Sequence, residues 1–171
     1  MELNLDNLIA MRERKERFEI NDYVEYIGNS SRICSSKKPT YAKIIECPKD
    51  SVTNFCLELE EEGTKLSTTK DNIRMIETTE KNLLKSYLFV KEEKTENNVV
   101  VFYFNPDINI YYSPAFGFFS TKGGATPEFK KFDAKEFYTR NISLYNINDV
   151  ISLVVKNSED SANIVFKKLC L

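Results

Sequence analysis

Short runs in which apolar and polar residues alternate recur along this chain, and each run ends at a proline, a glycine or a polar turn. Alternation at every second residue places one set of side chains on each face of an extended strand. The pattern predicts short strands near 20–27, 40–47, 54–60, 86–91, 99–104, 137–144, 150–156 and 162–168. Many short strands with one or two short helices predict a mainly β fold, a small, partly open β-barrel or sandwich.

Two stretches are harder to assign by periodicity. The stretch 67–90 contains apolar residues at helical spacing, but its end, SYLFVKEE, also fits a strand. The stretch 150–156 contains the run ISLVV, and a continuous apolar run predicts a strand that is buried on both faces. The stretch 162–168 fits either a strand or a closing helical turn.

Length and composition indicate an ordinary folded intracellular protein. The chain has 171 residues with 12 Phe and 9 Tyr, which is far too aromatic for a disordered chain. At this length a fold buries about 70% of the surface that the unfolded chain exposes. Residues 1–17 carry a partial apolar stripe followed by basic residues and predict an N-terminal helical arm rather than a signal peptide. No apolar run approaches the roughly 18 residues that span a bilayer, so we expect no membrane association.

The residue types argue against an enzyme. The chain has no His, which excludes His-based triads, imidazole proton shuttles and the usual zinc ligands. No two of its four cysteines are separated by two residues, so we expect reduced thiols that pack in the fold. The glutamates of the run 58–62 alternate between strand faces and do not converge. We therefore expect no catalytic residue, no metal site and no cofactor.

The segment 110–119 is unusually aromatic for a stretch that contains Pro114 and Gly117. Loops are generally polar, so its rings require an explanation. One interpretation is a long irregular loop that folds back and fills one end of the core. The other is an exposed interaction loop that presents Tyr111, Tyr112 and Phe116 to a ligand or partner.

Basic residues occur in local clusters although the net charge is −2. A phosphate-driven nucleic-acid binder usually has a pI above about 9, whereas this chain has a pI near 5.4. A basic patch would still form if two or three clusters met in space, and nearby Tyr and Phe rings would stack on bases. The candidates for this patch are Arg12, Arg14, Lys15, Arg17, Lys37, Lys38, Lys130 and Lys131, and a further cluster lies at Lys167 and Lys168.

Four segments together resemble the bromo-adjacent homology (BAH) domain, closest to the type in the largest subunit of the origin recognition complex and in related silencing proteins. The first two segments are Asn21-Asp22-Tyr23-Val24 and the stretch from Pro39 to Glu46. The third is the aromatic strand Phe102-Tyr103-Phe104, and the fourth runs from Glu136 to an I-x-V strand that ends at Val155. The resemblance covers residues 18–48 and 99–156.

The resemblance implies a single β-rich domain over 18–171, a small, distorted and partly open SH3-like β-barrel, with an insertion at about 49–98. Domains of this family act as chromatin or protein-interaction modules, and some of them bind a methylated histone lysine in an aromatic cage. Ring faces attract such a cation through their negative electrostatic potential. By position, the resemblance places Tyr41, Phe102 and Tyr103 where the walls of a cage would lie.

The leading functional hypothesis is a non-enzymatic interaction module of BAH type that binds chromatin, through a histone or nucleosome, or another protein complex. The expected location is intracellular, in the nucleus. One alternative is an RNA- or ribosome-associated SH3-like protein that binds nucleic acid through its clustered basic residues. Another is a structural subunit that docks into a larger assembly through its aromatic segment. None of these hypotheses specifies an oligomeric state.

Overall fold

The computed structural model describes residues 18–28, 39–48, 54–60, 63–94, 99–105, 108–114, 116–121 and 141–171. They form two five-stranded antiparallel sheets and a few short helices, which confirms a mainly β fold. The strand order does not close either sheet into a barrel. The chain divides into two compact units, an N-terminal unit, Glu16–Ile76, and a C-terminal unit, Glu77–Leu171. The boundary between the units falls inside the predicted insertion 49–98.

The N-terminal unit is one antiparallel sheet with the strand order β4-β3-β2-β1-β5. A 3-10 turn, Lys70–Asn72, connects β4 at one edge of the sheet to the last strand at the other edge. That last strand pairs with β1. The first three strands confirm those predicted near 20–27, 40–47 and 54–60. The strands are β1 (Tyr23–Tyr26), β2 (Thr40–Glu46), β3 (Phe55–Leu59), β4 (Lys65–Thr68) and β5 (Ile73–Met75).

Alternation along these strands builds the core of the N-terminal unit. Apolar side chains at alternate positions of β1, β2, β3 and β5 are buried on the same face of the sheet. Each Val, Leu, Ile, Phe or Met among them stabilises the fold by about 1.5–3 kcal/mol. Phe18 closes one margin of this core, with its ring edge-on to Phe55 at 5.7 Å. The buried set is Val24, Tyr26, Ala42, Ile44, Phe55, Leu57, Leu59, Ile73 and Met75.

The C-terminal unit combines a meander sheet with short helices. Its sheet has the order β10-β9-β8-β7-β6, so each strand pairs with its neighbour in sequence. Helix α1 precedes the sheet, and α2 and α3 follow it. The elements are α1 (Glu80–Lys85), β6 (Val90–Lys94), β7 (Val99–Asn105), β8 (Ile108–Ser113), β9 (Gly117–Thr121), β10 (Asn141–Ser143), α2 (Ile147–Lys156) and α3 (Ala162–Cys170).

The strand predicted at 150–156 is wrong, because this stretch belongs to α2. The buried residues are Ile147, Val150, Ile151 and Val154, which have the i, i+3, i+4, i+7 spacing of one helical face. The run ISLVV, in which Ser152 is the one polar residue, does not reveal this spacing over five residues. The expected I-x-V strand of the BAH resemblance lies in the same helix, so that detail is also wrong. The stretch 162–168 is likewise helical, in α3.

Two further predictions need correction. The ambiguous stretch 67–90 is divided among the end of β4, the 3-10 turn, β5 and α1, and the strand placed near 86–91 begins only at Val90. The irregular loop expected around 110–119 is largely a β-hairpin of β8 and β9. Gly117, with φ of +69°, adopts the left-handed backbone conformation that this turn requires. Of the strand predicted at 137–144, the described part is β10.

We expect Asn146→Ala to lower the free energy of unfolding by about 1 kcal/mol, because it removes the N-terminal cap of α2. The Asn146 side chain accepts hydrogen bonds from the backbone N–H groups of Asn148 and Asp149 at 2.9 and 3.3 Å. The Asp149 carboxylate in turn accepts from the Asn146 N–H at 3.3 Å. Urea denaturation measures the change. Asn146→Ser retains a capping oxygen and serves as the control; an equal loss in both variants would contradict the capping role.

Candidate interaction surface

The strand register places an aromatic pair on one face of the C-terminal sheet. Val100 lies opposite Tyr112 on β8, and Tyr112 lies opposite Phe118 on β9. On the same face, Ile142 of β10 lies opposite Ser120, diagonal to Phe118. Tyr112 is 36% exposed, Ile142 is 37% exposed and Phe118 is half-buried. We call Tyr112, Phe118 and Ile142 the aromatic face.

A row of rings fixes the aromatic face to the core. The Tyr112 and Phe118 ring centroids are 4.8 Å apart with their planes inclined at 51°. Phe118 continues the row to Phe102, at 6.0 Å between centroids. Phe102 is only 1% exposed. Because each ring in the row packs against the next, Tyr112 is held at the surface with little freedom left to lose on binding.

The rings on the other face of this sheet face the protein interior. Tyr111 stacks on Phe119 with centroids 5.6 Å apart and an interplanar angle of 25°, and both are buried. The amide of Asn109 donates a hydrogen bond to the Tyr111 hydroxyl at 3.4 Å. Phe116 is also buried, and its N–H donates to Ser113 Oγ at 3.1 Å. Of the three residues of the predicted interaction loop, only Tyr112 is therefore presented to solvent.

The three residues placed in an aromatic cage by the resemblance lie in different parts of the structure. Tyr41 belongs to the N-terminal unit, where it lies on β2 opposite Glu25. Phe102 and Tyr103 are consecutive residues of β7 in the C-terminal unit, so their side chains point to opposite faces of the sheet. Phe102 is a core residue, and it does not share a pocket wall with Tyr103.

The predicted basic patch lies outside the described residues. This holds for Arg12, Arg14, Lys15, Arg17, Lys37, Lys38, Lys130 and Lys131. The further cluster is described: Lys167 and Lys168 are exposed in the last turn of α3. Lys168 forms an ion pair with Asp160 at 3.2 Å.

Four buried side-chain polar atoms have no hydrogen-bond partner within the described ranges. They are Thr78 Oγ1, Asn109 Oδ1, Ser120 Oγ and Ser143 Oγ. Ser120 is the one that lies on the same side of the sheet as the aromatic face. A buried hydroxyl without a partner costs about 1–3 kcal/mol.

The described cysteines are free thiols. Burial raises the pKa of Cys170 to about 12, against a smaller lowering by the charge of Lys85. Burial also raises the pKa of Cys47, and the carboxylates of Asp22 and Glu19 add to this effect. A raised pKa leaves little thiolate at neutral pH, and the thiolate is the nucleophile. Cys47 and Cys170 are therefore interpreted as packing residues and not as reactive thiols. Cys34 lies outside the described residues.

The described part of the chain contains no group of three His, Cys, Asp or Glu residues that could hold a metal ion. Its helices include none long and apolar enough to cross a membrane.

Sequence reasoning did not single out Phe118 and Ile142 as members of a binding surface. The available signal was the spacing of Pro114 and Gly117, which favours a hairpin turn over a long loop. In that hairpin, the alternation of side chains places Tyr112 and Phe118 on one face of the sheet and Tyr111 and Phe119 on the other. Comparison of the chain with protein-family models, curated proteins and solved structures found no match.

Proposed function

We propose that this chain is a non-enzymatic interaction module of BAH type that binds chromatin in the nucleus, through a histone or nucleosome surface, or another protein complex. The arrangement of the resembling segments supports this in part. The segment that contains Tyr23 and the segment from Pro39 to Glu46 supply two adjacent antiparallel strands, with Tyr23 opposite Lys43. The aromatic segment Phe102-Tyr103-Phe104 lies in β7. The helix at Ile147–Lys156 is a departure from the family pattern.

The observation that carries the proposal is the exposed ring of Tyr112, which packs on the half-buried Phe118 of the same sheet. Aromatic residues are enriched at the centres of protein interfaces, where tyrosine is among the most frequent energetic hot spots. A ring that is already fixed by its neighbours binds with a smaller entropy cost than a mobile one. The aromatic face is also apolar enough to exclude water from a contact, because Ile142 extends it across β10. The partner surface is therefore expected to be a protein surface with a complementary apolar cavity.

We expect Tyr112→Ala to weaken binding to histone octamers about 30-fold, the loss of about 2 kcal/mol that is typical of a hot-spot residue. The measurement is a titration of the purified full chain with octamers and with mononucleosomes. Tyr112→Phe keeps the ring and should bind nearly as well as the wild type.

The chain provides a matched pair of aliphatic controls. Ile142 and Ile164 are 37% and 45% exposed, but only Ile142 belongs to the aromatic face. Ile142→Ala should weaken binding several-fold, whereas Ile164→Ala should leave it unchanged. Equal effects of the two substitutions would assign binding to another surface. Unchanged affinity in Tyr112→Ala would refute the role of the aromatic face.

A further inference from the structure

A tyrosine with a strained backbone and an exposed ring follows α1. Tyr87 has a φ of +57° and is 95% exposed. A left-handed backbone is unfavourable for a residue with a Cβ atom, and this position favours glycine or asparagine. The other described non-glycine residue with positive φ is Asn21, a type that tolerates it. Because the Tyr87 ring is almost fully exposed to water, packing in the core does not explain why a tyrosine occupies this position.

The turn that carries Tyr87 is firmly held. The N–H groups of Ser86 and Tyr87 each donate to a carbonyl of α1, those of Asn82 and Leu84, both at 3.2 Å. The buried Ser86 hydroxyl donates to the Leu83 carbonyl at 2.6 Å and accepts from the Leu88 N–H at 3.1 Å. The exposed ring is therefore presented from a fixed backbone.

The helix that precedes this turn contacts α3, and both helices carry lysines. The Asn82 side-chain amide of α1 donates to the Leu169 carbonyl of α3 at 2.8 Å. Lys85 of α1 acts electrostatically on Cys170 of α3. Lys167, three residues before Cys170, is a neighbour on the same helical surface. Lys85 and Lys167 therefore lie in the last turns of two helices that the Asn82–Leu169 hydrogen bond joins.

Three lysines of α1 and α3 are not neutralised by ion pairs within the described residues. Lys81 and Lys85 are exposed and four residues apart on α1, so they share one side of the helix. Glu80 of α1 forms an ion pair with Lys91 at 2.6 Å, and Asp160, just before α3, forms one with Lys168 at 3.2 Å. Within the described residues, Lys81, Lys85 and Lys167 have no ion-pair partner.

Helix electrostatics explain only part of this arrangement. Lysines in the last turn of a helix interact favourably with its partial negative charge, which accounts for Lys85 and Lys167. The same effect does not require Lys81, which lies in the first half of α1. It also gives no reason for an exposed aromatic ring in a strained backbone position. An observed backbone outlier of this kind is a basis for a functional hypothesis.

We propose that Tyr87, Lys81, Lys85 and Lys167 form a binding site for single-stranded nucleic acid. The tyrosine ring stacks on a base and the three ammonium groups contact backbone phosphates. A single strand fits better than a duplex, because its bases expose their faces. It also fits better than an acidic peptide, whose carboxylates match the lysines but provide no face for the ring. This site is separate from the proposed protein-binding function and from the aromatic face.

The test is fluorescence anisotropy with the purified full chain and labelled single-stranded oligonucleotides of about 15 nucleotides, oligo(dT) and oligo(U), at low salt. We expect Tyr87→Ala to weaken binding between about 5-fold and 150-fold, the range measured for loss of one stacked base. Replacing Lys81 and Lys85 by glutamine should reduce the slope of log K against log salt by about 1.4, roughly 0.7 for each phosphate contact. Lys156→Gln, an exposed lysine in the last turn of α2, is the control and should change neither quantity.

Tyr87→Gly separates binding from folding. Glycine relieves the positive φ, so the melting temperature should be unchanged or higher by up to about 4 °C, while binding is weakened as in Tyr87→Ala. Binding that does not depend on Tyr87, tighter binding to duplex of the same length, or Tyr87-dependent binding to polyglutamate but not to oligonucleotides would each overturn the proposal. Histone octamers without nucleic acid test the aromatic face separately, so either proposal can fail alone.

Discussion

Phe102→Ala lowers the free energy of unfolding by about 3–5 kcal/mol, the usual cost of removing a fully buried phenylalanine. Phe102 is 1% exposed, lies opposite the buried Ile110 in the register and contacts the Phe118 ring. Alanine leaves a cavity at a site where sheet neighbours are hydrogen-bonded and cannot collapse far. Since a domain is stable by only about 5–15 kcal/mol, this variant will be close to unfolding. Equilibrium denaturation with urea measures the effect.

The same variant discriminates between two roles for Phe102. A residue that lines an open aromatic cage would affect ligand binding and leave stability nearly unchanged. A core residue affects stability first. Phe102→Leu conserves most of the volume and is expected to cost less than about 1.5 kcal/mol. A loss below about 1 kcal/mol in Phe102→Ala would contradict the core assignment.

Cys170 of the folded protein reacts with iodoacetamide at pH 8 on the order of 10³-fold more slowly than in the unfolded chain. Its pKa is about 12 in the fold, against 9.0 for the unperturbed thiol, so the thiolate fraction falls by about that factor. Mass spectrometry of the modified peptides, with and without denaturant, measures the two rates. Cys56 is partly exposed and provides an internal reference in the same digest. Comparable rates for folded and unfolded Cys170 would show that this thiol is not buried.

The raised pKa of Cys170 also predicts how stability depends on pH. The folded protein holds the thiol proton up to about pH 12, whereas the unfolded chain releases it near pH 9. The contribution of this thiol to the free energy of unfolding is therefore fully present below pH 9. It decreases by about 1.4 kcal/mol per pH unit as the pH rises from 9 towards 12. Cys170→Val removes this term, so its stability should fall less steeply than that of the wild type above pH 9. Parallel curves for the two proteins would contradict the assignment.

Strands can be predicted from the sequence wherever one face of the strand is buried and the other is exposed. β1, β2 and β3 alternate clearly. The predicted bounds of β2 and β3 agree with the structure to within one residue, whereas the strand predicted from residue 20 begins only at Tyr23. Prediction fails in short, mostly apolar runs such as ISLVV, because period 2 and period 3.6 cannot be separated over five residues. The deciding signal was the cap: Asn146 with Asp149 three residues later forms a capping box. The hairpin at β8 and β9 was missed because proline and glycine were interpreted as loop signals.

The candidate surfaces could be predicted from the sequence only in part, for two physical reasons. The exposure of Tyr112 and the burial of Tyr111 follow from strand register, which sequence leaves undetermined until the turn is assigned. The presentation of Tyr87 depends on a positive φ, which no residue pattern predicts for a tyrosine. The exposed lysines of α3 were recognised as a basic cluster, but their proximity to α1 depends on the Asn82–Leu169 hydrogen bond between distant parts of the chain.

The most direct test of the proposed function is an NMR titration of the isoleucine-methyl-labelled full chain with histone octamers. Ile142 and Ile164 report on two surfaces of similar exposure, one within the aromatic face and one on α3. We expect the Ile142 methyl signal to shift or broaden as octamer is added, in the wild type but not in Tyr112→Ala, while the Ile164 signal stays unchanged. An Ile142 signal that does not move at saturating octamer, in a chain that remains folded, would contradict binding through the aromatic face.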